Sequence, residues 1–193
     1  MLRRPALILL ALAASGCMES KPQFKAVDLT GADYAKDFRL TDQNGRERTL
    51  QDFKGKAVVV FFGFTHCSDV CPTTLAEIAQ AKKLLGPDGD KVQGVFITVD
   101  PERDTPELLK AYMGNFDPGF IALRGTPEQL AATAKDFKVY YKKVQGKTPG
   151  SYSMDHSAAA YVYDPQGRLR LYTRYGSGVA PLAADIKLLL KSQ

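Results

Sequence analysis

The chain of 193 residues predicts an α/β domain: a central sheet covered by helices on both faces, with an added β-hairpin at its N-terminal side. Three observations carry this prediction. Residues 57–64 and 92–99 are continuous runs of apolar, β-branched and aromatic side chains, the pattern of strands buried on both faces. Helical patterns alternate with such strands, which is how helices come to lie across a sheet. Thr105-Pro106-Glu107 and Thr126-Pro127-Glu128 are matching helix starts, each with a capping hydroxyl, a proline at the first helical position and an acid in the first turn.

The elements follow in order. Arg3 and Arg4 precede a short apolar run that ends in Ala14-Ser15-Gly16-Cys17. A bilayer-spanning helix needs roughly 20 apolar residues, so this run reads as a secretory signal. It resembles a bacterial lipoprotein signal, which implies removal of residues 1–16, lipid attachment at Cys17 and a location at the extracytoplasmic face of the cell envelope. Residues 17–36 carry few large apolar side chains and read as a tether from membrane to domain. The domain is expected over residues 37–193. It opens with strands at 38–42 and 46–50 flanking Asn44-Gly45, a strong hairpin signal. A strand at 57–64 leads to a helix at 73–85, where Leu75, Ile78, Ala79, Lys82 and Leu85 recur at helical steps before Gly86-Pro87. After the strand at 92–99 come a helix from Thr105 to about Asn115, a strand at 120–123 and a helix from Thr126 to about Phe137. Residues 139–144 read as a strand and 145–153 as a loop rich in Gly, Pro and Ser. Strands at 158–163 and 169–175 are joined by the turn Asp164-Pro165-Gln166-Gly167, and a helix at 181–191 closes the chain.

Lysine and arginine total 26 against 21 acids. The charge is mixed along the chain, with no basic run interleaved with aromatics, so nucleic-acid binding is not expected. With two histidines and no nucleophile-elbow sequence, the chain offers no hydrolase constellation.

The chemistry concentrates at Cys67 and Cys71, separated by three residues in Thr65-His66-Cys67-Ser68-Asp69-Val70-Cys71-Pro72, between the end of a buried strand and a helix. Sites in open α/β sheets form beyond the carboxyl ends of strands. Residues four apart share a helix face, so both sulfurs can point at one spot, and a helix N-terminus favours the thiolate. Two thiolates and one imidazole, from His156 in Ser153-Met154-Asp155-His156-Ser157, make a soft set suited to copper(I) and too small for a structural zinc site. The same thiols could make and break a disulfide, or form an inert one. The residues alone leave these readings open.

Strand, cysteine pair and helix in this order resemble the thioredoxin fold, with three residues between the cysteines where thioredoxins have two. A histidine-bearing segment takes the place of the proline that faces the thiols there. Three segments resemble the signatures of the Sco/SenC family of membrane-anchored copper proteins: residues 63–72, residues 99–106 (Val99-Asp100-Pro101-Glu102-Arg103-Asp104-Thr105-Pro106) and Asp155-His156. The resemblance implies copper ligation by Cys67, Cys71 and His156, with copper(I) favoured and copper(II) possible. It further implies copper delivery to the binuclear centre of cytochrome c oxidase subunit II or a similar acceptor, with a thiol reductant as a second partner. Reduction of that subunit's cysteines by the Cys67–Cys71 pair and copper or redox sensing are the alternatives. The charged loop of Asp100, Glu102, Arg103 and Asp104 is implied to brace the site. Among the neighbours, His66 reads as a tuning or capping group, Met154 as packing, Asp155 as orienting His156, and Asp69 as helix-start electrostatics. Tyr140, Tyr141, Tyr161, Tyr163, Tyr172 and Tyr175 read as aromatics at the edge of the core.

Overall fold

The two apolar runs become adjacent parallel strands at the centre of an eight-stranded sheet in a computed structural model, which describes residues 22–191. The strands are β1 (Val27–Asp28), β2 (Leu40–Asp42), β3 (Glu47–Arg48), β4 (Ala57–Gly63), β5 (Val92–Thr98), β6 (Ile121–Arg124), β7 (Tyr141–Gln145), β8 (Tyr152–His156), β9 (Ala159–Tyr163) and β10 (Leu169–Arg174). The helices are α1 (Val70–Leu84), α2 (Pro106–Gly114), α3 (Pro127–Asp136) and α4 (Val179–Lys191). The main sheet runs β1-β10-β9-β4-β5-β6-β2-β3, and β7 and β8 form a separate two-stranded sheet.

Every residue of β4 and β5 is buried, as continuous apolar runs demand when both sheet faces are covered. Phe61 and Phe96 are register partners and turn to one face, where Phe96 meets Tyr112 of α2. Phe62 turns to the other and packs edge-on against Phe137, which ends α3. The apolar periodicity of α1 is also confirmed, since Leu75 and Ile78 are fully buried. The capped helix starts form as the sequence predicts. Thr105 Oγ1 accepts from the Leu108 amide and Thr126 Oγ1 from the Gln129 amide, each at 3.3 Å. Asn44-Gly45 makes the expected hairpin, held by the buried Asp42 carboxylate, which accepts from the Asn44 and Arg46 amides and from Arg48 Nε.

Three features differ from the sequence expectation. Helix α1 begins at Val70, three residues earlier than its apolar periodicity indicates. Residues 22–36, expected as part of the tether, lie against the domain. There β1 pairs with β10, the buried Asp185 of α4 accepts from the Lys25 and Ala26 amides at 2.8 Å, and Tyr163 donates to the Ala35 carbonyl at 2.6 Å. These backbone partners are remote in sequence, so a short polar stretch gives no sign of them. The third difference is β8, which falls partly in the expected loop and carries His156 at its end. Cys17 and the residues before it lie outside the described residues. Among the described residues no helix is long and apolar enough to cross a membrane.

Candidate metal centre

The site is built on the carboxyl end of β4. Gly63 is its last residue, and there a methyl group would sit 2.7 Å from Cys71 Sγ and 2.8 Å from the Phe96 ring. Only a glycine lets the first turn of α1 press its cysteine this close to the strand. The chain then turns, with the Cys67 amide donating to the Phe64 carbonyl at 3.2 Å. Thr65 fixes the path of this turn, because its amide and hydroxyl both donate to Asp104, whose other donor is Thr98 at the end of β5. Asp104 is fully buried, and a buried carboxylate is tolerated only where such donors surround it.

Cys67 lies before the helix, so the two sulfurs do not converge along one helical face as the four-residue spacing suggests. The turn brings them together instead. The Cys71 amide, one of the donors left unpaired at a helix N-terminus, points at Cys67 Sγ at 3.4 Å. Cys67 is half-buried and Cys71 wholly buried, and neither is in a disulfide. Burial in apolar surroundings pushes the Cys71 thiol well above its usual range, outweighing the pull of the helix N-terminus toward the thiolate. Iodoacetamide at neutral pH is therefore expected to label Cys67 well before Cys71, and mass spectrometry of a time course checks the order. Equal labelling would mean that Cys71 is open to solvent.

His156 arrives from the other side. Its Nε2 lies 3.5 Å from Cys71 Sγ, and its ring packs edge-on against Phe61 and Phe64, with centroids 6.0 and 5.9 Å away. Its Nδ1 is 3.0 Å from the Ser157 carbonyl. A carbonyl only accepts, so Nδ1 carries the proton and Nε2 presents its lone pair to the sulfur. Burial lowers the His156 pKa, which favours the neutral, ligating form. Cys67, Cys71 and His156 place their ligand atoms within 4.8 Å of one another, the one such group among the described residues. Ligands bonded at about 2.0–2.3 Å to a common ion stand roughly 3.5–4 Å apart, so these three fit a three-coordinate soft cation with little movement. Beside them opens a groove of about 320 Å³ lined by His66, Cys67, Asp69, Asp155 and His156. A larger cavity of about 430 Å³ at the starts of α2 and α3 contains no thiol or imidazole.

The neighbours sort as follows. His66 is turned to Thr65 Oγ1 and stays out of the three-residue group. Met154 is buried in the core. Asp155 is exposed on the outward side of β8, and the Ser157 carbonyl orients His156 in its place, because alternation along a strand sends adjacent side chains to opposite faces. Asp69 precedes α1 without capping it through its side chain. Tyr161 and Tyr163 are buried and donate to backbone carbonyls, whereas Tyr140 and Tyr175 are exposed. Gly63, Thr65 and Tyr152 were not singled out from the sequence. A glycine ending an otherwise bulky strand was the available signal for the first.

A sheet of this topology, with a cysteine pair at the end of its central strand and a histidine brought over from a separate hairpin, defines a thioredoxin-like protein with a Cys-Cys-His site. The chain belongs to the SCO1/SenC family, whose model matches residues 27–191. The SCO2-like protein of Rickettsia felis is 40% identical over 133 residues, 68% of this chain and 65% of that protein. The mitochondrial SCO2 homolog of Homo sapiens is 41% identical over 141 residues, 72% of this chain and 52% of its own. The chain thus spans between about half and two thirds of the length of these curated relatives. Among solved structures, Bradyrhizobium japonicum ScoI with copper bound superposes with a TM-score of 0.72 at 45% identity, covering 79% of this chain and 97% of that one. Apo Sco1 of Thermus thermophilus gives 0.77 at 38% identity, with 86% and 97% covered.

Proposed function

We propose that this protein is an envelope copper chaperone that binds copper through Cys67, Cys71 and His156 and passes it to the binuclear copper centre of cytochrome c oxidase subunit II. The observation that carries this reading is the convergence of two sulfurs and an imidazole lone pair within 4.8 Å beside an open groove. Two thiolates and a neutral imidazole suit copper(I) better than harder cations, and copper(II) is accommodated by the same donors. Copper-bound ScoI, at 45% identity, supports the choice of metal. The half-exposed Cys67 is the natural exit: an acceptor thiolate can reach copper there and replace the ligands one at a time. Lipid on Cys17 would keep the domain beside a membrane-bound acceptor.

A second reading has its own support. Cys67 is the more exposed sulfur of the pair and sits at a helix start with the Cys71 amide and sulfur beside it, the arrangement of an attacking and a resolving thiol. In that reaction the Cys67 thiolate attacks a disulfide of the acceptor subunit and Cys71 resolves the mixed disulfide. The products are the Cys67–Cys71 disulfide and two acceptor thiols, and an external thiol reductant restores the pair.

The test is to mix the reduced, copper(I)-loaded protein with a reduced, copper-free soluble domain of subunit II. Copper(I) leaving this chain and appearing on the acceptor by metal analysis after separation, with the optical spectrum of the binuclear centre developing once a one-electron oxidant such as ferricyanide is added, is the expected result. Copper remaining on the donor, or a centre formed equally fast from copper–glutathione alone, would contradict delivery.

A further inference from the structure

The strand that carries His156 belongs to no part of the main sheet, since β8 pairs only with β7. His156 joins the main sheet on one side only, through the two residues that lead into β9, so the far end of β8 needs an anchor of its own to hold the hairpin and its imidazole against the sulfurs. Along β8 the exposure alternates: Ser153 and Asp155 face outward, while Tyr152, Met154 and His156 face the domain. Tyr152 and His156 are thus the two ends of one inward-facing row, and Tyr152 is gripped. Its hydroxyl donates to the buried Asp100 at 2.9 Å, and its carbonyl accepts from Arg103 Nη1 at 2.9 Å. The Arg103 guanidinium lies 3.6 Å from the centre of its ring, and Lys143 Nζ lies 4.0 Å from that centre while also pairing with Glu102. Arg103 is itself fixed by Asp100. The grip joins the hairpin to the loop after β5, and that loop also holds Asp104, which positions the turn before Cys67.

We infer that Tyr152 and Arg103 are positioning residues for copper binding, a latch that holds the β7–β8 hairpin closed so that His156 Nε2 meets the two sulfurs. The inference rests on the copper reading of the site for its effect on affinity, but not for its effect on where His156 lies. Opening the latch frees the imidazole while leaving both thiols in place, so it lowers affinity by one ligand without dismantling the site. Substitutions that disturb the orientation of a metal ligand typically cost about ten- to a hundredfold in affinity.

The test uses Tyr152→Leu, which keeps an apolar side chain and leaves the Arg103–Asp100 pair intact, alone and combined with His156→Ala. Copper(I) affinity is measured by competition with a chelator. Tyr152→Leu is expected to weaken binding about tenfold in the parent chain and to have no further effect once His156 is gone. Tyr152→Phe, which keeps the stack on Arg103, is expected to recover most of the loss. A general loosening of the fold would weaken both backgrounds alike, and that outcome overturns the latch. In parallel, NMR of the reduced, metal-free protein follows the His156 ring protons, which sit in the ring currents of Phe61 and Phe64. Tyr152→Leu should move them toward the position of a free histidine. Unmoved signals overturn the latch whatever copper does. If His156→Ala alone binds copper as tightly as the parent, the copper reading fails, and the latch stands or falls on the NMR shifts.

Discussion

Replacing His156 with alanine is expected to weaken copper(I) binding by roughly a hundredfold, about 2.7 kcal/mol, while leaving Cys67 and Cys71 able to form and exchange a disulfide. The size follows from the geometry. The imidazole presents a lone pair, not a proton, to the cluster, because Nδ1 is committed to the Ser157 carbonyl, and Nε2 already stands at 3.5 Å from Cys71 Sγ. No other described histidine, cysteine or acid joins the group, so nothing replaces the lost ligand and the ion falls to two-coordination. The thiols are positioned from elsewhere, by the Thr65–Asp104 contacts and by Gly63, so their redox chemistry survives. Chelator competition for the metal and reaction with oxidised dithiothreitol for the thiols separate the two properties. Equal loss of both would mean that His156 acts on the fold.

The second large effect concerns oxidation. Protein carrying a Cys67–Cys71 disulfide is expected to take up no copper, whereas the reduced protein takes up about one ion per chain. A disulfide removes both thiolates at once and leaves a single imidazole, too little to hold copper against competing thiols. The reduced site also holds a proton on Cys71, whose thiol is pushed up by burial, so loading should release protons. A thiol reductant thereby becomes the gate on loading. Metal analysis of oxidised and reduced samples after gel filtration measures the difference, and equal loading of both would refute the coupling.

Much of this architecture was legible in the residues because its signals are local. A run such as 57–63 can be buried on both faces only in a central strand, and Thr-Pro-Glu supplies a helix cap within three positions. The hairpin at Asn44-Gly45 is local in the same sense. The missed features depend on partners far along the chain. Residues 22–36 are pinned by Asp185 and Tyr163, more than a hundred positions away. The strand β8 does show period-two alternation, from Tyr152 through Met154 to His156, but it follows a Gly/Pro/Ser-rich stretch that reads as loop, and it has no sheet neighbour except β7. The same division holds at the site. Spacing relates Cys67 to Cys71, although through a turn and not a helix face, whereas nothing in spacing relates either to His156. That link came from the resemblance to a family, and its physical cause lies in Tyr152, Arg103 and the two phenylalanines that seat the ring.

The central claim is that one ion is held by both sulfurs and by this imidazole. X-ray absorption at the copper edge of the reduced, copper(I)-loaded protein addresses it most directly. Two sulfur neighbours and one nitrogen neighbour at bonding distance, with the nitrogen lost in His156→Ala, are predicted. A shell of sulfur alone, unchanged by that substitution, would contradict the account.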